Sequence, residues 1–255
     1  MLEVRNNGNH APGPRGTLSS RVALLRLDPS LGDAVPAIDR PRVVRALTAE
    51  SRSYPPGPMD VHRMHLPPAT FAVLVIEGSL IQQTDVGGGT MTELMLRGDV
   101  LLPWPPSPTA PESVIRFTAA EEVRLAFLDD CFIKAAARWP ELLGVIQRRL
   151  CDQKHWLATQ GAICQLPRVD QRVMAIMWHL AARTGKVAAE GTIVPRKLTH
   201  DALGILVGAR RPTVSIAAKA LQQDGHLIRR ADGTWLIPAA GGVCFKDLVS
   251  NLDAV

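Results

Sequence analysis

The chain has 255 residues, 46% of them hydrophobic and 21% charged, a globular composition long enough for one large domain or two ordinary ones. No apolar run approaches the ~18 residues that a membrane span needs, and MLEVRNNGNHAPGPRG lacks the apolar core of a secretory signal, so a cytoplasmic protein with a disordered tail over 1–17 is expected. The net charge of +5 is unevenly spread. Residues 1–166 carry 17 basic and 17 acidic side chains, and residues 167–255 carry 12 and 7, so an anionic partner such as nucleic acid is expected for the C-terminal third.

Leu18 to Leu47 holds apolar clusters interrupted by Pro29, Pro36 and Pro41, a pattern of short helices. His62 and His65 form an HxxH in a proline-rich stretch, where surface histidines are a better account than a metal site. From Phe71 the texture changes to strands: FAVLVI, then LIQQT after an EGSL turn, VGGGT as a hairpin loop, MTELML, an RGD turn, VIRFT, and VRLAFL. Many short strands between glycine turns predict an antiparallel barrel or jelly roll over 18–130. LLPWPPSPTAPES carries five prolines, which suits a loop at the barrel rim and not a central strand.

A single long helix is expected from Cys131 to Leu166. With Leu143 at a heptad a position, the seam runs Leu143, Ile146, Leu150, Gln153, Leu157, Gln160, Cys164. Five of the seven are apolar, and polar seam residues can set register, so a self-dimer is expected there; the alternative is a helix packed on its own barrel. The cysteines Cys131, Cys151, Cys164 and Cys244 show no CxxC spacing, which argues for small buried side chains over a zinc or disulfide framework.

LPRVD is a joint, and a second domain is placed over 167–255. VMAIMWHLAART is an amphipathic helix, and GKVAAEGTIVP a loop with a short strand. THDALGILV is a helix with Thr199 as its N-cap. After a turn at Gly208 and Ala209, Val214, Ala217, Ala218 and Leu221 form the i, i+3, i+4, i+7 stripe of a buried helix face, with Pro212 in the first turn. ADGT is a hairpin turn between LIRR and WLIP. Helix, short turn, helix and hairpin make a winged helix-turn-helix, whose second helix enters the major groove by its N-terminus. Arg210 and Arg211 stand at that end, where the helix dipole and free N–H groups favour phosphate.

LTHDALGILVGARRPTVSIAAKALQQDGHLIRR resembles the DNA-binding region of the Crp/Fnr bacterial transcription regulators, and the barrel and long helix resemble that family's cyclic-nucleotide-binding-like domain and dimerisation helix (131–166). The resemblance implies an α+β chain: a jelly-roll effector domain, a dimerisation helix and a winged helix-turn-helix. It implies a homodimer that reads an inverted repeat in double-stranded DNA and acts on RNA polymerase. The family's recognition helix often reads Ser-Arg-Glu-Thr-Val-Ser-Arg; here the matching residues are Arg210, Arg211, Pro212, Thr213, Val214, Ser215 and Ile216. Arg211 keeps the arginine suited to guanine. Pro212 replaces the glutamate that reads bases, and Ile216, in place of the second arginine, can meet a thymine methyl. Arg210, Thr213, Ser215 and Lys219 are expected on phosphates, Arg229 and Arg230 on the backbone beside the wing, and Thr199 completes the DNA-contact set.

Family members that bind cyclic nucleotide use Gly-Glu and Arg-Ser pairs. Gly98 and Asp99 match the preceding turn, but no Gly-Glu follows, and Glu112 and Ser113 fall where Arg-Ser would lie. A carboxylate there repels a phosphate and Arg116 is the nearby substitute, so the cassette is degenerate and cyclic AMP is not expected. No cofactor or metal is expected; for this loop an unidentified small-molecule effector, a protein, or no ligand at all stay open. No P-loop, GxSxG elbow or cupin HxH is present, so the chain is not expected to be an enzyme. The rival readings are a barrel metalloenzyme using His62 and His65, and an interaction module whose winged helix meets protein.

Overall fold

A computed structural model describes residues 17–59, 66–102, 112–195 and 198–239. Two compact units divide between Gln153 and Lys154.

The first unit holds two antiparallel sheets. One runs β1 (Thr17–Ala23), β2 (Thr48–Tyr54), β9 (Val123–Leu128), β4 (Ala72–Glu77), β7 (Val100–Leu101). The other runs β3 (Gly57–Met59), β8 (Val114–Ala119), β5 (Ser79–Val86), β6 (Gly89–Leu96). Strand β4 explains its own unbroken apolar run. Successive side chains of a strand point to opposite faces, and here both faces are covered. Val73 and Val75 join Leu80, Met95, Phe117, Leu125 and Phe127 in a core made by both sheets. Ala72, Leu74 and Ile76 pack with Leu24, Leu31, Leu47, Phe132, Leu142 and Ile146 in a second core on the helical side. Two glycine turns set register. Gly87 and Gly88, both at positive φ, close a two-residue hairpin with Val86 opposite Gly89. At Gly78 a Cβ would lie 2.2 Å from the Glu122 carbonyl, so only glycine fits.

The N-terminal stretch departs from the expectation of helices alone. It opens with strand β1 and continues through α1 (Leu24–Leu27), a 3-10 turn (Pro29–Gly32) and α2 (Arg40–Ala46). The expected helix Cys131–Leu166 is also two helices, α3 (Asp130–Ala136) and α4 (Glu141–Cys164). Pro140 is the reason: it has no N–H to donate, and it disfavours helical backbone at Trp139. Asp129 caps α3 by accepting from the Cys131 N–H at 2.9 Å. Arg149 of α4 reaches buried Asp28 at 2.7 Å and the Gly98 carbonyl at 3.3 Å. Burial alone would raise the Asp28 carboxyl, but hydrogen bonds from Arg149 and Ser30 and the Arg149 charge hold it below the usual range.

The second unit comprises the end of α4, α5 (Val169–Thr184), β10 (Lys186–Ala188), β11 (Gly191–Val194), α6 (His200–Val207), α7 (Arg211–Gln223), β12 (Ile228–Arg229) and β13 (Trp235–Pro238). Its sheet runs β10-β11-β13-β12, with every pairing antiparallel. GKVAAEGTIVP is thus a full hairpin, one strand more than expected. Trp235 is fully buried and donates its indole N–H to the Leu198 carbonyl at 3.0 Å, tying the wing to the entrance of α6. The end of α4 belongs here because Gln160 donates to the Leu206 carbonyl at 3.1 Å and the Trp156 ring lies 4.1 Å from that of His179. Among the described residues no helix is long and apolar enough to cross a membrane.

Candidate nucleic-acid interface

Helices α6 and α7 pack through a close turn. Thr199 caps α6, its hydroxyl accepting from the Ala202 N–H at 3.1 Å. Gly208 ends α6 in the left-handed region at φ +64°, which favours glycine. The Ala209 N–H then returns to the Gly204 carbonyl at 2.9 Å, and a Cβ on Gly204 would lie 2.7 Å from the Ala209 carbonyl oxygen. Two glycines therefore permit the approach. Arg210 takes the N-cap position of α7, and Pro212 sits in its first turn. Val214, Ala217, Ala218 and Leu221 are all buried, matching the stripe read from the sequence.

The opposite side of α7 is open. Arg210, Arg211, Pro212, Thr213 and Lys219 are exposed, and Ile216 is 72% exposed. Ser215 is held differently from expectation: half-buried, its hydroxyl lies 2.7 Å from His200 Nδ1, so it braces α7 against α6. The Arg229 guanidinium stacks 5.4 Å from the Trp235 ring centroid, and Arg230 pairs with Glu190 at 3.4 Å across the wing. Burial, then the Arg229 and Arg211 charges, hold the His200 imidazole below its ordinary pKa, with Asp201 opposing. His200 and Asp201 were missed by the sequence reading; their signal was their place in the first turn after the Thr199 cap, beside the start of α7.

Among the described residues, Gly98, Asp99 and Arg116 of the candidate effector set are engaged in turn and strand contacts. Asp99 is buried and its carboxylate accepts from the Leu96 N–H at 2.7 Å, so it builds the turn. Gly98 serves the same turn at φ +93°. Arg116 alternates with buried Phe117 along β8 and pairs instead with Asp85 of β5. Glu112 is exposed and Ser113 half-buried just before β8. The proline loop over 103–111, His62, His65, the 1–16 part of the tail and Cys244 lie outside the described residues.

The seam residues of α4 are mostly engaged within the chain itself. Ile146 is buried in the helical-side core with Leu150 packed against it. Gln153 accepts from the Val100 N–H at 3.1 Å and donates to Glu93 at 2.9 Å. Gln160 is buried against α6, and the Cys164 thiol lies 3.5 Å from the Leu206 carbonyl. Leu157 is half-buried, and only Leu143 of the seven is exposed. The apolar spacing thus serves the chain's own cores. Among the exposed residues of α4, Gly144, Arg148, Cys151, His155, Ala158 and Ala162 make a different series that also steps by four and three, beside exposed Leu143, Gln147, Asp152, Lys154 and Thr159.

No protein-family model and no curated protein sequence matches the chain. Solved structures do. A CooA mutant from Carboxydothermus hydrogenoformans is similar at a TM-score of 0.61 and 15% identity, covering 90% of this chain and 95% of that one. The c-di-GMP responsive global regulator CLP of Xanthomonas campestris gives 0.56 and 18%, covering 80% of this chain and 100% of that one. A CRP/FNR family transcriptional regulator from Thermus thermophilus gives 0.50 and 21%, covering 80% and 98%. At these identities the likeness is one of architecture, and the chain has the Crp/Fnr-like fold.

Proposed function

We propose that this chain is a cytoplasmic transcription regulator that binds an inverted repeat in double-stranded DNA as a homodimer. One observation carries the reading: α7 buries its small apolar face and leaves Arg210, Arg211, Thr213, Ile216 and Lys219 open, most of them at its N-terminal half, the end that enters a major groove. Arg211 donates to guanine, Ile216 meets a thymine methyl, and Arg210, Thr213 and Lys219 hold phosphates. Arg229 and Arg230 follow the backbone at the wing. Exposed Thr199 and half-buried Ser215 shape the motif through their hydrogen bonds to the Ala202 N–H and His200.

The dimer is proposed to form along the exposed series of α4, where Gly144, Cys151, Ala158 and Ala162 are small enough for two helices to approach closely. Binding is proposed to need no cyclic AMP, because Glu112 stands at the expected cassette and Arg116 is held by Asp85. The bound dimer then recruits or occludes RNA polymerase.

Titration of a random-sequence duplex against the full chain at about 50 and about 200 mM salt tests the DNA reading. Affinity is expected to fall at least ~10-fold between the two, as phosphate contacts release counterions. Absence of binding at the lower salt would overturn it and favour a protein-binding winged helix.

A further inference from the structure

We infer that Asp201, on the first helix of the motif, sets the base preference of the second helix by orienting Arg211. The inference rests on the DNA-binding reading above. Asp201 Oδ2 lies 3.5 Å from Arg211 Nε. The two residues stand near the starts of α6 and α7, and the frame between them is rigid: the Gly208 turn, the Ala209-to-Gly204 hydrogen bond and buried Val207 and Val214 hold the two helices together. The backbones that carry the two side chains are therefore held at a constant separation, and the Asp201 side chain is itself 61% exposed.

The chemistry follows from guanidinium geometry. Arginine carries five N–H donors in one fixed plane. Engaging Nε leaves the two Nη groups at the far end, and these are the pair that can donate together to O6 and N7 of guanine. A side chain as exposed as Arg211, at 67%, otherwise samples many rotamers and gives them up on binding. Asp201 removes part of that freedom beforehand. Its charge is also conspicuous: among the charged groups whose fields reach His200, Arg211 and Arg229 are cations and Asp201 is the anion. A carboxylate on a surface that meets a polyanion weakens binding to every sequence, so any benefit it brings to DNA recognition lies in discrimination. Asp201 also favours the N-terminus of α6 through the helix dipole, a role independent of Arg211.

The test uses the full chain and the duplex that the wild type enriches from a random pool, with variants in which each G·C pair is changed singly to A·T. Asp201→Ala is expected to reduce the preference for the guanine lost in Arg211→Ala by about two- to fivefold, the reach of an ion pair this exposed. Binding to a scrambled duplex is expected to hold or rise. Asp201→Asn, which preserves shape, is expected to act in the same direction, and Asp201→Ala in the Arg211→Ala background to change the preference no further. Preference intact in both Asp201 variants, or additive losses in the double variant, would overturn the inference and leave the DNA reading standing. If the wild type enriches no duplex, the DNA reading falls and this inference with it.

Discussion

Arg211 carries the clearest prediction about recognition. A bidentate arginine–guanine contact is worth ~1–3 kcal/mol in discrimination. Arg211→Ala should therefore weaken binding to a selected duplex by more than it weakens binding to a scrambled one, read by titrating both at one salt concentration. Equal losses would make Arg211 a phosphate contact. His179 carries a prediction about pH. Burial first, with the Arg183 charge adding and a hydrogen bond to the Trp156 backbone opposing, holds its pKa at about 4 against an ordinary 6.5. The unfolded chain binds this proton more readily than the folded one, so the contribution is complete above about pH 6.5 and is lost as pH falls towards about 4. Thermal melting of the full chain at about pH 7.5, 6 and 5 should show a declining midpoint for the second unit. His179→Gln should flatten that decline, and an unchanged slope would contradict the assignment.

The α6–α7 turn predicts what a single methyl group does. Gly204→Ala places a Cβ 2.7 Å from the Ala209 carbonyl oxygen, so the turn must open. A cost of ~1–3 kcal/mol is expected for such overpacking, with DNA affinity falling because α7 is displaced; melting and titration of one sample read both. On α4, Ala158→Glu is expected to split the dimer while leaving the melting of both units unchanged, as measured by light scattering beside calorimetry. A dimer that survives would move the interface elsewhere. Much of this was legible in the residues. The stripe Val214, Ala217, Ala218, Leu221 and the strands β4 and β9 announce themselves, because a buried face leaves a simple period. Strand β2, TAESRSY, does not, since its polar side chains alternate around few apolar ones. The α4 seam is ambiguous for a physical reason: Ile146 and Leu150 are spaced as a coiled-coil seam would be, but an intramolecular core asks for the same spacing. The Ser215–His200 contact is not legible because His200 lies on another helix, and hydrogen bonds across a turn leave no period to read.

A homodimer of this fold presents two recognition helices, and half-sites for such readers lie one helical turn apart, ~34–36 Å. The excess charge of residues 167–255 belongs to the unit that holds the motif, while residues 1–166 are neutral in sum. Among the candidate effector residues, Asp99 and Gly98 maintain a turn and Arg116 pairs with Asp85. The most direct measurement is selection of binding sites from a random duplex pool by the full-length, ligand-free chain, repeated with cyclic AMP. The account predicts one enriched inverted repeat with a guanine in each half-site, equally strong in both pools. Enrichment only with cyclic AMP would contradict the effector reading, and no enrichment in either pool would contradict the claim that this chain reads DNA.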